Sequence, residues 1–104
     1  MKEISVQDLK HMRDTGTNHQ LVDVREEYEY EEMNIGAELI CMGQIPECIG
    51  RLRKDVPVIL HCRSGGRSSN VVKYLEGQGF DNVYNLKGGI LAWREQIEPA
   101  VGKG

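Results

Sequence analysis

Apolar residues along this chain alternate between a helical spacing and short continuous runs, and the changes of spacing mark out its elements. Ile4 precedes Ser5, and Asp8 follows three residues after the serine. That pairing lets side chain and backbone satisfy two free N–H groups reciprocally at a helix start. Val6, Leu9 and Met12 then share one helical face, so a short strand leading into a helix is predicted, broken at Gly16, Thr17 and Asn18. L-V-D-V at 21–24 reads as a short buried strand rich in branched residues. R-E-E-Y-E-Y-E-E-M at 25–33 reads as a short helix with one solvated face, and N-I-G-A-E-L-I turns into another short strand. Ile45, Ile49 and Leu52 predict a helix over 45–53, with Pro46 tolerated in its first turn. V-P-V-I-L-H at 56–61 is apolar almost throughout, as a central strand covered on both faces would be. A helix through Val71, Val72 and Leu75 follows, with Gly77 or Gly79 as stop signals. N-V-Y-N-L reads as a last strand, and G-G-I-L-A-W-R-E-Q-I as a last helix packing Ile90, Leu91 and Trp93.

Strands and helices in this alternation indicate an α/β domain with a mainly parallel sheet. The 104 residues suffice for one core, expected over residues 1–100, with 101–104 as a frayed tail. A hydrophobic fraction of 39% with 28% charged residues fits a globular chain, and a net charge of -3 argues against nucleic acid as partner. No run is long enough to span a membrane and the first residues lack an apolar signal region, so a cytoplasmic location is expected. Cys41, Cys48 and Cys62 form no C-x-x-C pair, and His11, His19 and His61 stand singly. Neither a disulfide framework nor a metal site is suggested, and no cofactor is expected.

The chemistry gathers in H-C-R-S-G-G-R-S at 61–68, between the apolar strand and a helix. Ligands of parallel sheets sit beyond the carboxyl ends of the strands. A glycine-containing loop entering a helix there gathers backbone N–H groups into a concavity that favours anions. Gly65 and Gly66 let the chain curl, Ser64 and Ser68 offer hydroxyl donors, and Arg63 and Arg67 add positive charge suited to oxyanions. A thiol at such a helix end titrates well below its ordinary value, so Cys62 is the candidate nucleophile.

Two reactions suit such a cysteine cradle: attack on a phosphoryl group, or uptake of a sulfane sulfur. Four residues separate Cys62 from Arg67, one fewer than in the C-x5-R loop of cysteine phosphatases. Removing one residue shortens a ring's perimeter by about 3.8 Å and its radius by roughly 0.6 Å, which favours a single terminal sulfur over a tetrahedral phosphoryl group. Phosphoryl transfer also needs a general acid for the leaving alkoxide, whereas sulfite leaves as a stable anion. Asp23 or an acid of the 26–32 segment could supply that proton, which keeps a phosphatase or arsenate reductase open as an alternative.

L-V-D-V-R-E at 21–26, H-C-R-S-G-G-R-S at 61–68 and L-K-G-G-I-L-A-W at 86–93 together resemble a single-domain rhodanese, a sulfurtransferase. The resemblance covers nearly the whole chain, and its three blocks in order are far more specific than C-x4-R alone. It implies a five-stranded parallel sheet flanked by helices on both faces. It also implies a cycle in which Cys62 takes sulfur from a donor such as thiosulfate and passes it to cyanide or a cellular thiol. By position, Arg63, Ser64, Gly65, Gly66, Arg67 and Ser68 form the substrate cradle, with Arg67 as the oxyanion contact, while Asp23 and Arg25 resemble a supporting ion pair. Where many relatives carry G-H-I-P-G-A, this chain has M-N-I-G-A-E-L-I, similar to domains fused to sulfur-carrier activating enzymes. The implied partners are a small anionic sulfur donor and a thiol or sulfur-acceptor protein.

Blander readings stand beside these. Cys41 and Cys48 lie in apolar patterns and read as structural, with Cys48 as a second redox thiol the sharper alternative. Adjacent strand residues face opposite ways, so His61 reads as a hydrogen-bonding residue under the loop rather than a base for Cys62. The acidic 26–32 segment reads as a solvated face, or as a docking surface for a basic partner. If the chain were a regulatory or sulfur-carrier binding module, that segment would be the first place to look.

Overall fold

The computed structural model describes residues 1–98; the tail expected at 101–104 lies outside them. Five strands and four α-helices follow one another: β1 (Glu3–Ile4), α1 (Val6–Thr15), β2 (Gln20–Asp23), α2 (Glu27–Glu32), β3 (Glu38–Leu39), β4 (Val58–His61), α3 (Gly66–Gly77), β5 (Val83–Leu86) and α4 (Gly89–Gln96). A 3-10 helix, Met42–Arg51, lies between β3 and β4. The strands form one sheet in the order β1-β5-β4-β2-β3, and every neighbouring pair is parallel.

Local chemistry accounts for most boundaries. Ser5 Oγ accepts the Asp8 N–H at 3.0 Å, and Asp8 Oδ2 accepts the Ser5 N–H at 3.2 Å, closing the cap that opens α1. Gly16 ends the same helix in the left-handed region. The helix expected over 45–53 is a 3-10 helix that begins three residues earlier. Pro46 lies inside it and has no N–H to give to an α-helical bond, and Gly43 and Gly50 weaken the α form further. Ile45 is fully buried there, with Cys48 and Ile49 packed beside it.

Strand alternation sorts the core into two layers. Val22, Val24, Val58, Leu60 and Cys62 face α3 and the 3-10 helix, packing with Val71, Val72 and Leu75. Leu21 and Ile59 face the other way, toward Val6, Leu9, Ile90 and Trp93 of α1 and α4. β4 lies at the centre with all four residues buried, and its carboxyl end delivers His61 and Cys62 to the same edge as Asp23 at the end of β2.

Candidate active site

Cys62 leaves β4 on the α3 side, and the chain curls at once so that Gly65 caps α3 with φ of +111°. Only glycine adopts that backbone readily. The curl brings the Gly65 N–H to 3.1 Å and the Ser68 Oγ to 3.4 Å from the Cys62 sulfur. Burial, with Cys62 1% exposed, would push the thiol up. The Ser68 hydroxyl and the N–H groups of Ser68, Gly65 and Ser64 more than offset it, so the thiol titrates below its ordinary value. Burial, reinforced by Glu26, Glu27 and Asp23, instead pushes the Cys41 thiol up.

The loop is braced from beneath by two neighbours. The Ile90 and Leu91 N–H groups at the start of α4 donate to the carbonyls of Cys62 and Arg63 at 3.0 and 3.1 Å. Gly89, at φ of +58°, makes this approach possible, because a Cβ there would lie 2.6 Å from both carbonyl oxygens. On the other side, the buried Ser68 Oγ lies 2.5 Å from Asn85 Oδ1 on β5. Asn85 Nδ2 faces Gly65 O at 3.4 Å and Glu3 Oε2 at 3.3 Å.

Asp23 and Arg25 form a buried pair. Asp23 accepts the Arg25 backbone N–H at 3.0 Å and side-chain N–H groups from 2.8 to 3.1 Å, while Arg25 Nη2 also donates to Met33 O at 2.7 Å. His61 is fully buried on the α1 and α4 side, its Nε2 3.6 Å from Asp23 Oδ2 and its Nδ1 3.3 Å from Cys62 O. Burial holds its ring below the ordinary histidine value despite Asp23, so it is neutral at pH 7.

Arg67, the expected oxyanion contact, pairs across the loop with an acid of α2. Its guanidinium donates to both oxygens of Glu29 on α2, at 2.7 and 3.0 Å, so an oxyanion reaching it must share or displace that carboxylate. The Arg67 hydrogen bonds, against the opposing effect of burial, hold the Glu29 carboxyl at about 2. Arg63 is exposed and borders a cleft of about 540 Å³ with Arg25, Glu32, Asn34, Leu91 and Arg94. That cleft reaches the loop but not the sulfur, which lies within the curl. Glu29 is hidden in a run of acids and Asn85 shows in the sequence only as a polar residue inside an apolar strand, so neither stands out as part of the site before its contacts are seen.

The model of the rhodanese-like domain family matches residues 5–96. The chain belongs to the rhodanese-like domain family. Among its relatives, "Putative sulfurtransferase YtwF" from Bacillus subtilis (strain 168) is 44% identical over 100 residues, covering 95% of this chain and 96% of that protein. The thiosulfate sulfurtransferase GlpE from Shewanella oneidensis is 36% identical over 95 residues, covering 90% and 93%. The crystal structure of a rhodanese-like domain protein from Staphylococcus aureus superposes with a TM-score of 0.83 at 37% identity, covering 89% and 91% of the two chains. The rhodanese-like α/β architecture expected from the sequence is thus the observed one. Among the described residues, no helix is long and apolar enough to cross a membrane.

Proposed function

We propose that this rhodanese-like chain transfers a sulfane sulfur through a persulfide on Cys62. The Cys62 thiolate attacks the outer sulfur of a donor such as thiosulfate. An S–S bond forms to Cys62, the donor's own S–S bond breaks, and sulfite leaves with that electron pair. An acceptor thiolate, or cyanide, then attacks the outer sulfur of the persulfide, and Cys62 departs as thiolate. Arg63 draws the donor anion to the mouth, and the N–H groups of the loop hold the sulfur's negative charge at each stage.

The observation that carries this reading is the Cys62 sulfur held by the Gly65 N–H and the Ser68 hydroxyl inside a tight curl. A terminal sulfur one atom wide fits that curl better than a phosphoryl group with its oxygens. The carboxylate that pairs with Arg67 also fails as a general acid, since Glu29 at about 2 holds no proton near neutrality. The thiosulfate activity in the name of the Shewanella relative supports the choice of donor.

Intact-mass measurement after incubation with thiosulfate tests the reading. One added sulfur, removed by cyanide and absent from Cys62→Ser, is expected. Sulfur transfer that persists in Cys62→Ser, or aryl-phosphate hydrolysis without any sulfur uptake, would overturn it.

A further inference from the structure

The Ser68 hydroxyl has one proton and two acceptors within reach, Asn85 Oδ1 at 2.5 Å and the Cys62 sulfur at 3.4 Å. The orientation of the Asn85 amide follows from its surroundings. Its other end faces two oxygens, Gly65 O and Glu3 Oε2, which require donors. Nδ2 therefore points to them, and Oδ1 is left to accept from Ser68. Asn85 is itself 3% exposed, so its preference is not diluted by bulk water.

We propose that Asn85 is a positioning residue that competes with the Cys62 sulfur for the single Ser68 proton and so tunes how strongly that sulfur is held as an anion. With a neutral thiol at Cys62, the hydroxyl gives its proton to Asn85. When the sulfur carries charge, the same proton turns to it, and Asn85 Oδ1 loses its donor. The amide thereby restrains the reactivity of the sulfur while its Nδ2 ties the Gly65 carbonyl to β5. The inference rests on the proposed role of Cys62 as sulfur carrier, yet the competition itself concerns only a proton and can be measured without any sulfur donor.

Other charges face this group from every side. Arg67 of α3 lies within electrostatic reach of the sulfur and is neutralised by Glu29 of α2. Asp23 and Arg25 pair at the end of β2, buried His61 precedes Cys62 on β4, and Glu3 of β1 touches Asn85. Substitution of Ser68 removes none of these contacts, and substitution of Asn85 removes only that of Glu3.

The test is a titration of thiolate ultraviolet absorbance, with Cys62→Ser as the blank, in Asn85→Leu, Ser68→Ala and the double variant. Asn85→Leu frees the Ser68 proton for the sulfur, so the midpoint should move to lower pH. Proton affinity is expected to fall about three- to tenfold, less than one full charge-assisted hydrogen bond is worth, because the Ser68 hydroxyl already lies within reach of the sulfur. Ser68→Ala should move the midpoint to higher pH, and adding Asn85→Leu to it should change nothing further. A purely structural role, in which losing the amide only loosens the loop, predicts a rise or no change for Asn85→Leu. That result, or an equal effect with and without the Ser68 hydroxyl, would overturn the proposal. Asn85→Ala, with folding followed by circular dichroism, repeats the measurement should leucine fail to pack, and the same signs are required of it. Failure here with normal sulfur uptake would leave the Cys62 assignment standing, whereas normal titration shifts without sulfur uptake would sink that assignment alone.

Discussion

Replacing Glu29 with Gln removes one charge from the pair that ties α2 to the Cys62 loop. The Glu29 carboxyl is held at about 2 instead of the ordinary 4.5, chiefly by Arg67. At 1.36 kcal/mol per pH unit, that difference sets an upper bound of about 3 kcal/mol on what the charged form adds to stability. The Arg67 side chain is 34% exposed and that of Glu29 15%, so solvent screening reduces the figure to about 1–2 kcal/mol. The sign follows from the depressed value. The contribution is complete above about 4.5 and is lost as pH falls toward 2, where the folded protein takes up the proton. Urea unfolding of the wild type and Glu29→Gln should therefore differ by about 1–2 kcal/mol at pH 7, and the difference should shrink below about pH 4.5, to about a quarter of its neutral value by about pH 2.5. A difference that stays constant from pH 7 to pH 2.5 would refute the reasoning, since it would make Glu29 a packing residue whose charge is irrelevant.

Three further outcomes are expected. Gly89→Ala places a methyl against the Cys62 and Arg63 carbonyls and forces a left-handed alanine, costing about 2–4 kcal/mol; thermal unfolding would show it, and retained stability would show that the α4 contact is slack. Asp23→Asn leaves the Arg25 guanidinium buried without its counter-ion and should cost about 3–5 kcal/mol in urea unfolding. The rate of sulfur uptake from thiosulfate should keep rising with pH only to a midpoint below the ordinary cysteine value of about 8.5, because the thiolate is the reacting form and the loop favours it. A midpoint at or above that value would mean that burial outweighs the hydrogen bonds.

Much of this protein was legible without coordinates, for local reasons. The capping of α1 by Ser5 and Asp8 involves atoms three residues apart, and the apolar 56–61 run reads as a strand covered on both faces. The opposed directions of His61 and Cys62 follow from strand geometry alone. The 3-10 form of Met42–Arg51 is hidden in the sequence because residues 45–53 satisfy a helical apolar pattern, while Pro46 and its glycine neighbours change which backbone bonds can form. The pairing of Arg67 with Glu29 has no signal along the chain, because nothing in a linear reading says which of several acids in the 26–32 segment faces the loop.

The amino-acid sequence by itself determined the alternation of elements, the central strand and the placement of a cysteine at a glycine-rich helix start, since each depends on neighbours within a few residues. Tertiary structure alone decided what surrounds the sulfur. Glu29 reaches Arg67 across 38 positions of chain, and Asn85 reaches Ser68 across 17. Gly89 yields its side-chain space to the carbonyls of Cys62 and Arg63 only because β4 and β5 are neighbours. Contacts of that range are set by sheet order and packing, and a hydrogen bond of this kind has no periodicity for a sequence to display.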